Sequence, residues 1–384
     1  MWQFSAPNIV FGEDALSHLP DLNGSRPFIV TDANMVQLGF TKQIEAAIGQ
    51  ACAIFAEVEP DPTILTIQRC TAAMHDYKPD LVLALGGGSC LDAAKTAWFL
   101  YERPDVDITE INPFEPFELP GKAKLVAIPT TSGTGADATK GVVLTDSEGA
   151  RKIIVYAREL QPSLTILDPA LTIGLPPQIT ADTGMDVLSH AIEAFTTPWH
   201  NDFSDALALQ AIRLVMTNLP QACRNGRDLV AREQMHNAAT MGGMAINNAA
   251  VGLAHALAHS VGALFKLPHG RIVGLFLPYT VEYTVNGGNS RYAEIAHALH
   301  LPADDEATGA ASLVTGLRRL ANEINQPLTL ADMDITAESF ASLLPQLVAH
   351  AVEDTSLFTA ARVPDEAEME QLFRYAFDGR AVDF

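Results

Sequence analysis

The chain has 384 residues, 48% of them apolar and 18% charged, with a formal net charge of −22. Such a length exceeds the roughly 250–300 residues at which a single core stops growing, so two domains are expected. The acidic balance excludes partners bound through phosphate backbones, nucleic acid and anionic membrane surfaces alike.

Met1 to Pro7 shows no basic segment followed by an apolar one, and no run approaches the roughly 20 apolar residues of a membrane span. A soluble, cytoplasmic protein is expected. Cys52, Cys70, Cys90 and Cys223 stand singly, without Cys-x-x-Cys spacing, and read as small buried hydrophobes rather than a disulfide framework or zinc ribbon.

In chain order, short apolar runs of strand character come first: Phe28 to Val30, Leu81 to Leu85, Leu125 to Ile128, Val142 to Leu144, Ile153 to Tyr156 and Leu164 to Leu167. Helical or turn-rich stretches separate them, a rhythm that suits a largely parallel sheet covered by helices on both faces. After the turn Gly174-Leu-Pro-Pro177 the pattern becomes long segments rich in Ala, Leu, Met and His at three-to-four spacing: Asp182 to Thr196, Ser204 to Leu219, Leu229 to Ala245 and Ala249 to Leu264. The expected organisation is an α/β domain over residues 1–176 and an all-helical domain over 177–384. The acidic stretch Asp304 to Glu306 reads as a solvated loop or helix start.

Three features of the first half suit a dinucleotide. Leu81 to Leu85 runs into Gly86-Gly-Gly-Ser89 and then a helical stretch with Asp92 and Lys95, so backbone N–H groups and a helix dipole can meet a pyrophosphate. Pro129-Thr-Thr-Ser-Gly-Thr-Gly135 is a second glycine-rich turn after a strand, with hydroxyls suited to ribose or phosphate. Asp32 ends the strand Phe28 to Thr31, where a carboxylate accepts from both ribose hydroxyls and repels a 2′-phosphate, favouring NAD over NADP. Each glycine cluster alone is also readable as a tight turn; the usual Gly-x-Gly-x-x-Gly after the first strand is absent.

In the second half, Asp186 and His190 lie four residues apart on one helical face, His255 and His259 repeat that spacing, and His269 follows Pro268. Imidazoles with a carboxylate suit a divalent first-row metal, iron or zinc, whereas calcium or magnesium prefers oxygen ligands. His18, His75, His200, His236, His297, His300 and His350 have no partnered spacing and read as surface or satisfied core residues. A zinc protease would need glutamate where Ala256 stands.

Gly86-Gly-Gly-Ser-Cys-Leu-Asp92, Pro129 to Gly135, Gly184-Met-Asp-Val-Leu-Ser-His-Ala-Ile-Glu-Ala194, Gly252-Leu-Ala-His-Ala-Leu-Ala-His259 and Pro268-His-Gly270 together resemble the iron-containing (group III) alcohol dehydrogenase family, over nearly the whole chain. The resemblance implies an N-terminal dinucleotide-binding α/β domain and an all-α C-terminal domain, an architecture shared with dehydroquinate synthase. It implies that Asp186, His190, His255 and His269 hold Fe(II), or Zn(II) as in some members, with His259 unligated beside the substrate. It also implies NAD contacts at Gly87, Gly88, Ser89, Asp92, Thr130, Thr131, Thr134, Thr139 and Lys152. The expected activity is interconversion of a primary alcohol and an aldehyde, by a homo-oligomer, most simply a dimer.

Several positions depart from the family pattern: Ala136-Asp137 for Ser-Glu, Gly270-Arg-Ile-Val-Gly274, Ala360-Ala361-Arg362 for Asn-Pro-Arg, and Gly141 and Ile246 in place of larger pocket residues. They leave the substrate open. In the expected mechanism the metal acidifies an alcohol oxygen, NAD accepts the hydride and His259 relays the proton. The alternatives are a dehydroquinate synthase-like NAD/metal lyase, for which the metal-proximal segments offer few basic residues beyond Lys266 and Arg271, and a catalytically idle NAD-binding regulator.

Overall fold

The computed structural model describes residues 3–113, 115–146, 151–288 and 290–384, with backbone alone at 146, 151 and 152. It divides into two compact units, Met1–Gly174 and Leu175–Phe384.

The first unit is built on six parallel strands, β1 (Asn8–Phe11), β2 (Pro27–Val30), β3 (Ala53–Phe55), β4 (Leu81–Gly86), β5 (Lys124–Pro129) and β8 (Leu164–Leu167), in the order β1-β8-β5-β4-β2-β3. Central strands of such a sheet are covered on both faces and therefore read as continuous apolar runs. In β4, Leu83 and Leu85 enter one core with Ile29, Val126 and Ile166, while Val82 and Ala84 enter another with Phe28, Val30, Leu125 and Ala127. Four helices, α1 (Ala33–Gln37), α2 (Phe40–Ile48), α3 (Ile64–Tyr77) and α4 (Gly88–Glu102), belong to the same unit.

Two details differ from the sequence expectation. The runs Val142 to Leu144 and Ile153 to Tyr156 do not join the sheet; as β6 (Gly141–Asp146) and β7 (Arg151–Tyr156) they pair antiparallel with each other. Strands β1 and β3 were not anticipated: their runs, Ile9 to Phe11 and Ala53 to Phe55, are only three residues long and form partly exposed sheet edges.

The second unit holds α5 (Pro177–Thr196), α6 (Asp202–Arg224), α7 (Leu229–Ala249), α8 (Leu253–Phe265), α9 (His269–Asn286), α10 (Tyr292–Ala298), α11 (Glu306–Glu323), α12 (Ala337–Val352) and α13 (Glu366–Asp378). Helix α5 is its axis, packed by α6, α7 and α9 and buried almost throughout from Thr180 to Phe195. The approach of α9 needs glycine: a Cβ on Gly270 would stand 2.3 Å from the Asp182 carbonyl oxygen, and one on Gly274 would stand 2.6 Å from the Met185 Cβ. What read as a departure, Gly270 to Gly274, is thus one helical turn with a hydrogen atom at each end where it crosses α5.

The segment Ala249 to Leu264 is not one helix. Ala250 takes φ 70° and ψ −176°, so α7 stops and α8 starts three residues later, at an angle of 105°. Among the described residues no single helix is long and apolar enough to cross a membrane; α7 and α8 meet that test only as a bent pair.

Candidate functional site

Asp186 sits mid-way along α5, and its buried Oδ1 is the centre of the histidine cluster. It lies 3.5 Å from His269 Nε2, 3.6 Å from His190 Nε2 and 4.0 Å from His255 Nε2. These separations are long for hydrogen bonds, yet two ligands of one tetrahedral ion, each at about 2.1 Å, stand roughly 3.4 Å apart. Asp186 Oδ1 and His255 Nε2 are both buried without a hydrogen-bond partner, a costly arrangement for a carboxylate and an imidazole that nothing else satisfies. Three nitrogens and one oxygen also suit a divalent first-row ion. The residues present therefore fit a metal.

Asp186, His255 and His269 offer one ligand atom each within 4.8 Å of one another. His190, one turn after Asp186, reaches that set through the carboxylate and stacks on His255, the rings 4.9 Å apart and inclined by 15°. Its Nδ1 is buried without a hydrogen-bond partner. His255 is at the first turn of α8, where burial, followed by the neighbouring His190 and His259, holds its imidazole neutral well below the usual pKa. His269 opens α9 and is the open side of the cluster, its side chain 42% exposed.

His259, one turn after His255, lies beside the cluster with its ring 5.2 Å from that of His269. Its Nδ1 is 2.8 Å from Asp354 Oδ2. A carboxylate accepts only, so the proton sits on Nδ1 and Nε2 is left free to accept. Burial would raise the Asp354 carboxyl, but bonds from His259 and Ser356 prevail and bring it down to about 2.

Sequence reasoning missed two carboxylates. Asp354 is 95 residues from its histidine and has no local signal. Glu193 had one, since it lies seven residues after Asp186 and three after His190 on the same helix. It is buried, contacts His255 Nδ1 and accepts from the Ala254 N–H at 2.7 Å. Burial, opposed by backbone N–H groups at the start of α8, raises its carboxyl to about 7. Arg271 is engaged by Asp182 through a pair of bonds at 3.0 and 2.8 Å, so it offers no free basic group beside the cluster.

The nucleotide candidates of the first unit gather at the carboxyl ends of adjacent strands. Gly86 ends β4 opposite Pro129 at the end of β5, and Thr130 N–H donates to the Gly86 carbonyl at 2.9 Å. The two glycine turns then pack on one another, Gly87 against Thr131 and Gly88 against Thr134, where a Cβ on Gly88 would come within 2.8 Å of a methyl group. Helix α4 starts at Gly88 without a side-chain cap, leaving its first N–H groups for an anion.

The side chains predicted to touch NAD are mostly occupied within the protein. Asp32, at the end of β2, caps α1 by accepting from Asn34 and Met35 N–H at 2.7 and 3.0 Å, and Cys90 Sγ lies 3.4 Å from its other oxygen. Asp92 Oδ2 accepts from Val143 N–H at 2.9 Å, and its Oδ1 is 3.7 Å from Lys95 Nζ. Ser89 Oγ accepts from Asp61 N–H at 3.3 Å, and Thr130 Oγ1 contacts Met35 Sδ. Thr134 Oγ1 accepts from Ala136 N–H at 3.3 Å. The side chain of Lys152 lies outside the described residues.

Lys95, to which no role was given, is fully buried and donates to the Ala136 and Gly141 carbonyls at 3.0 and 2.6 Å, with Thr139 Oγ1 at 3.3 Å. Gly141 acquires a structural reason too, since a Cβ there would stand 2.8 Å from the Tyr156 ring across the β6–β7 pair.

Residues 6–169 match the profile described as iron-containing alcohol dehydrogenase, and residues 180–377 that of the Fe-containing alcohol dehydrogenase family, C-terminal. The chain belongs to the iron-containing alcohol dehydrogenase family. It is 37% identical to the aldehyde-alcohol dehydrogenase of Streptococcus pneumoniae serotype 2 over 98% of this chain and 46% of that protein. It thus spans about half the length of the first relatives it matches. It is 34% identical to the NADPH-dependent butanol dehydrogenase of Clostridium saccharobutylicum over the full length of both. Among solved structures, sulfoacetaldehyde reductase from Bifidobacterium kashiwanohense in complex with NAD+ is similar with a TM-score of 0.88 and 26% identity, covering 98% of each chain.

Proposed function

We propose that this protein is a metal-dependent dehydrogenase that interconverts a primary alcohol and its aldehyde, with Asp186, His190, His255 and His269 holding Fe(II) and with NAD as the hydride carrier. The observation that carries this reading is the buried, unpaired Asp186 Oδ1 with three imidazole nitrogens 3.5 to 4.0 Å away. When bound, the metal supplies Lewis acidity toward an alcohol or carbonyl oxygen and the nicotinamide takes or returns hydride.

The chain's own residues do the rest. Asp186 fixes the negative charge of the site on α5, while the neutral His255 keeps a lone pair available. His259 carries its proton on Nδ1 toward Asp354 and presents Nε2 as the acceptor for a proton leaving the alcohol. The exposed edge of His269 marks where a small substrate enters. The glycine turns hold the pyrophosphate by backbone N–H groups, and the negative charge of Asp32 disfavours a 2′-phosphate, which is the support for NAD even though one relative is named for NADPH.

A lyase reading would need cations for a phosphorylated carboxylate, and Arg271 is already paired with Asp182. The reading includes a cytoplasmic homo-oligomer, a dimer, to be checked by light scattering. The test is elemental analysis of protein purified without air, followed by NADH and NADPH oxidation with a panel of aldehydes. Iron bound near one per chain and aldehyde-dependent NADH oxidation are expected. A fully metallated protein inert toward every aldehyde would instead favour the regulator.

A further inference from the structure

We infer that Glu193 is a positioning residue of the metal centre, setting the tautomer of His255 and fixing the start of α8 with the same carboxylate. The inference rests on the reading above that Asp186 and His255 are ligands.

Helix α8 begins without a side-chain cap of its own, because Gly252 occupies the capping position and Ala250 just before it adopts φ 70°. An N-terminus of this kind leaves several N–H groups unsatisfied. Glu193 reaches across from α5 to fill the place: its Oε1 accepts from Ala254 N–H at 2.7 Å, and a Cβ on residue 252 would stand only 3.2 Å from that oxygen. The carboxylate also meets the positive end of the helix dipole.

Its other oxygen, Oε2, contacts His255 Nδ1. In its ionised form the Glu193 carboxylate accepts and cannot donate, so Nδ1 then carries the hydrogen, and the lone pair of His255 is confined to Nε2, the atom 4.0 Å from Asp186 Oδ1. A carboxylate behind a ligating histidine fixes ring orientation and raises ligand basicity. On its far side Glu193 borders a small cavity of about 20 Å³ lined by hydroxyl-bearing residues including Thr196, Thr280, Thr284 and Tyr292, room for one water in a polar setting.

Glu193→Gln separates the two functions. The amide has one acceptor and one donor, so if its oxygen keeps Ala254 N–H, its NH2 faces His255 Nδ1 and moves the imidazole hydrogen to Nε2, covering the ligand lone pair. The experiment titrates metal-free wild type, Glu193→Gln, Asp186→Ala and His255→Ala with Co(II) and with Zn(II) against a chromophoric chelator. It also records 15N spectra of histidine-labelled, metal-free protein above pH 8, where the Glu193 carboxyl, raised to about 7, is ionised.

The expected result is Glu193→Gln binding metal about 10- to 100-fold more weakly, with His255 protonated on Nε2, while Asp186→Ala and His255→Ala bind none. Wild-type affinity in Glu193→Gln overturns the inference and leaves the metal reading intact. Wild-type affinity in Asp186→Ala and His255→Ala overturns the metal reading itself. Should Glu193→Gln not fold, the wild-type spectrum decides, because His255 protonated on Nε2 in metal-free wild type also overturns the inference.

Discussion

The histidine cluster of α5, α8 and α9 and the glycine turns after β4 and β5 are built on opposite principles. In the cluster, polar side-chain atoms are buried and left without hydrogen-bond partners, a costly arrangement that the proposed metal would relieve. At the turns most side chains that could greet a ligand are already engaged: Thr139 by Lys95, Asp32 by the start of α1, and Asp92 through one oxygen by the Val143 amide, its Oδ1 alone being buried without a hydrogen bond. On the proposed reading, the groups that meet the pyrophosphate there are backbone N–H groups. The lesson is that one site is specified by side-chain chemistry and the other by shape, so substitutions should act on them differently.

The largest expected effect is at the cluster. Asp186→Ala should abolish metal binding, read by elemental analysis, and with it all turnover, whereas a single hydroxyl removed at the turns, Thr134→Ala, should leave metal content unchanged and weaken NAD by no more than about tenfold, the worth of one hydrogen bond to an exposed partner. Equal metal loss in both would erase the contrast. Next comes His259→Ala, expected to retain metal and to lower kcat about 10²- to 10⁴-fold, as for a removed acid–base group. Metal loss matching that of His269→Ala would make His259 a ligand instead.

Asp354→Asn sharpens the comparison through pH. The folded carboxyl is lowered from 3.8 to about 2, so its ionised form stabilises the protein above pH 4, and that contribution of about 2 kcal/mol disappears as pH falls toward 2. Urea unfolding of wild type against Asp354→Asn should show a stability gap at pH 5 that closes by pH 2. A gap independent of pH would mean that the carboxylate charge is irrelevant.

The smallest effect is expected at Asp32→Ala, which should cost about 1 kcal/mol as a lost helix cap and shift the NAD-to-NADP preference by roughly tenfold, or about 1.4 kcal/mol. A change in melting alone, with cofactor preference untouched, would confine Asp32 to its role at α1.

These differences also explain what could be read from the chain. Strands β2, β4, β5 and β8 announce themselves because burial on both faces demands largely apolar runs, whereas β1 and β3 are short edges whose pairing is decided by distant neighbours. The partners of β6 and β7 were hidden because apolar runs do not encode whether a strand joins the main sheet or its own hairpin. The cluster was legible through four-residue spacing, a property of single helices. Glu193 lay on that same face and could have been found, while Asp354 could not, since only the packed helical unit brings it to His259. Asp92 and Thr139 are named by motif, yet their hydrogen bonds are visible only once Lys95 is seen among them.

The two glycines at which α9 crosses α5 carry a consequence for how the proposed centre would age under heat. With backbone and side-chain atoms of α5 already where a methyl group would go, the helices have no slack along the crossing, and the spacing of His269 from Asp186 is a rigid-body property of the pair. A metal held by both residues would then not be released by gradual separation of the two helices, and its departure and the melting of that helix pair would be a single kinetic event.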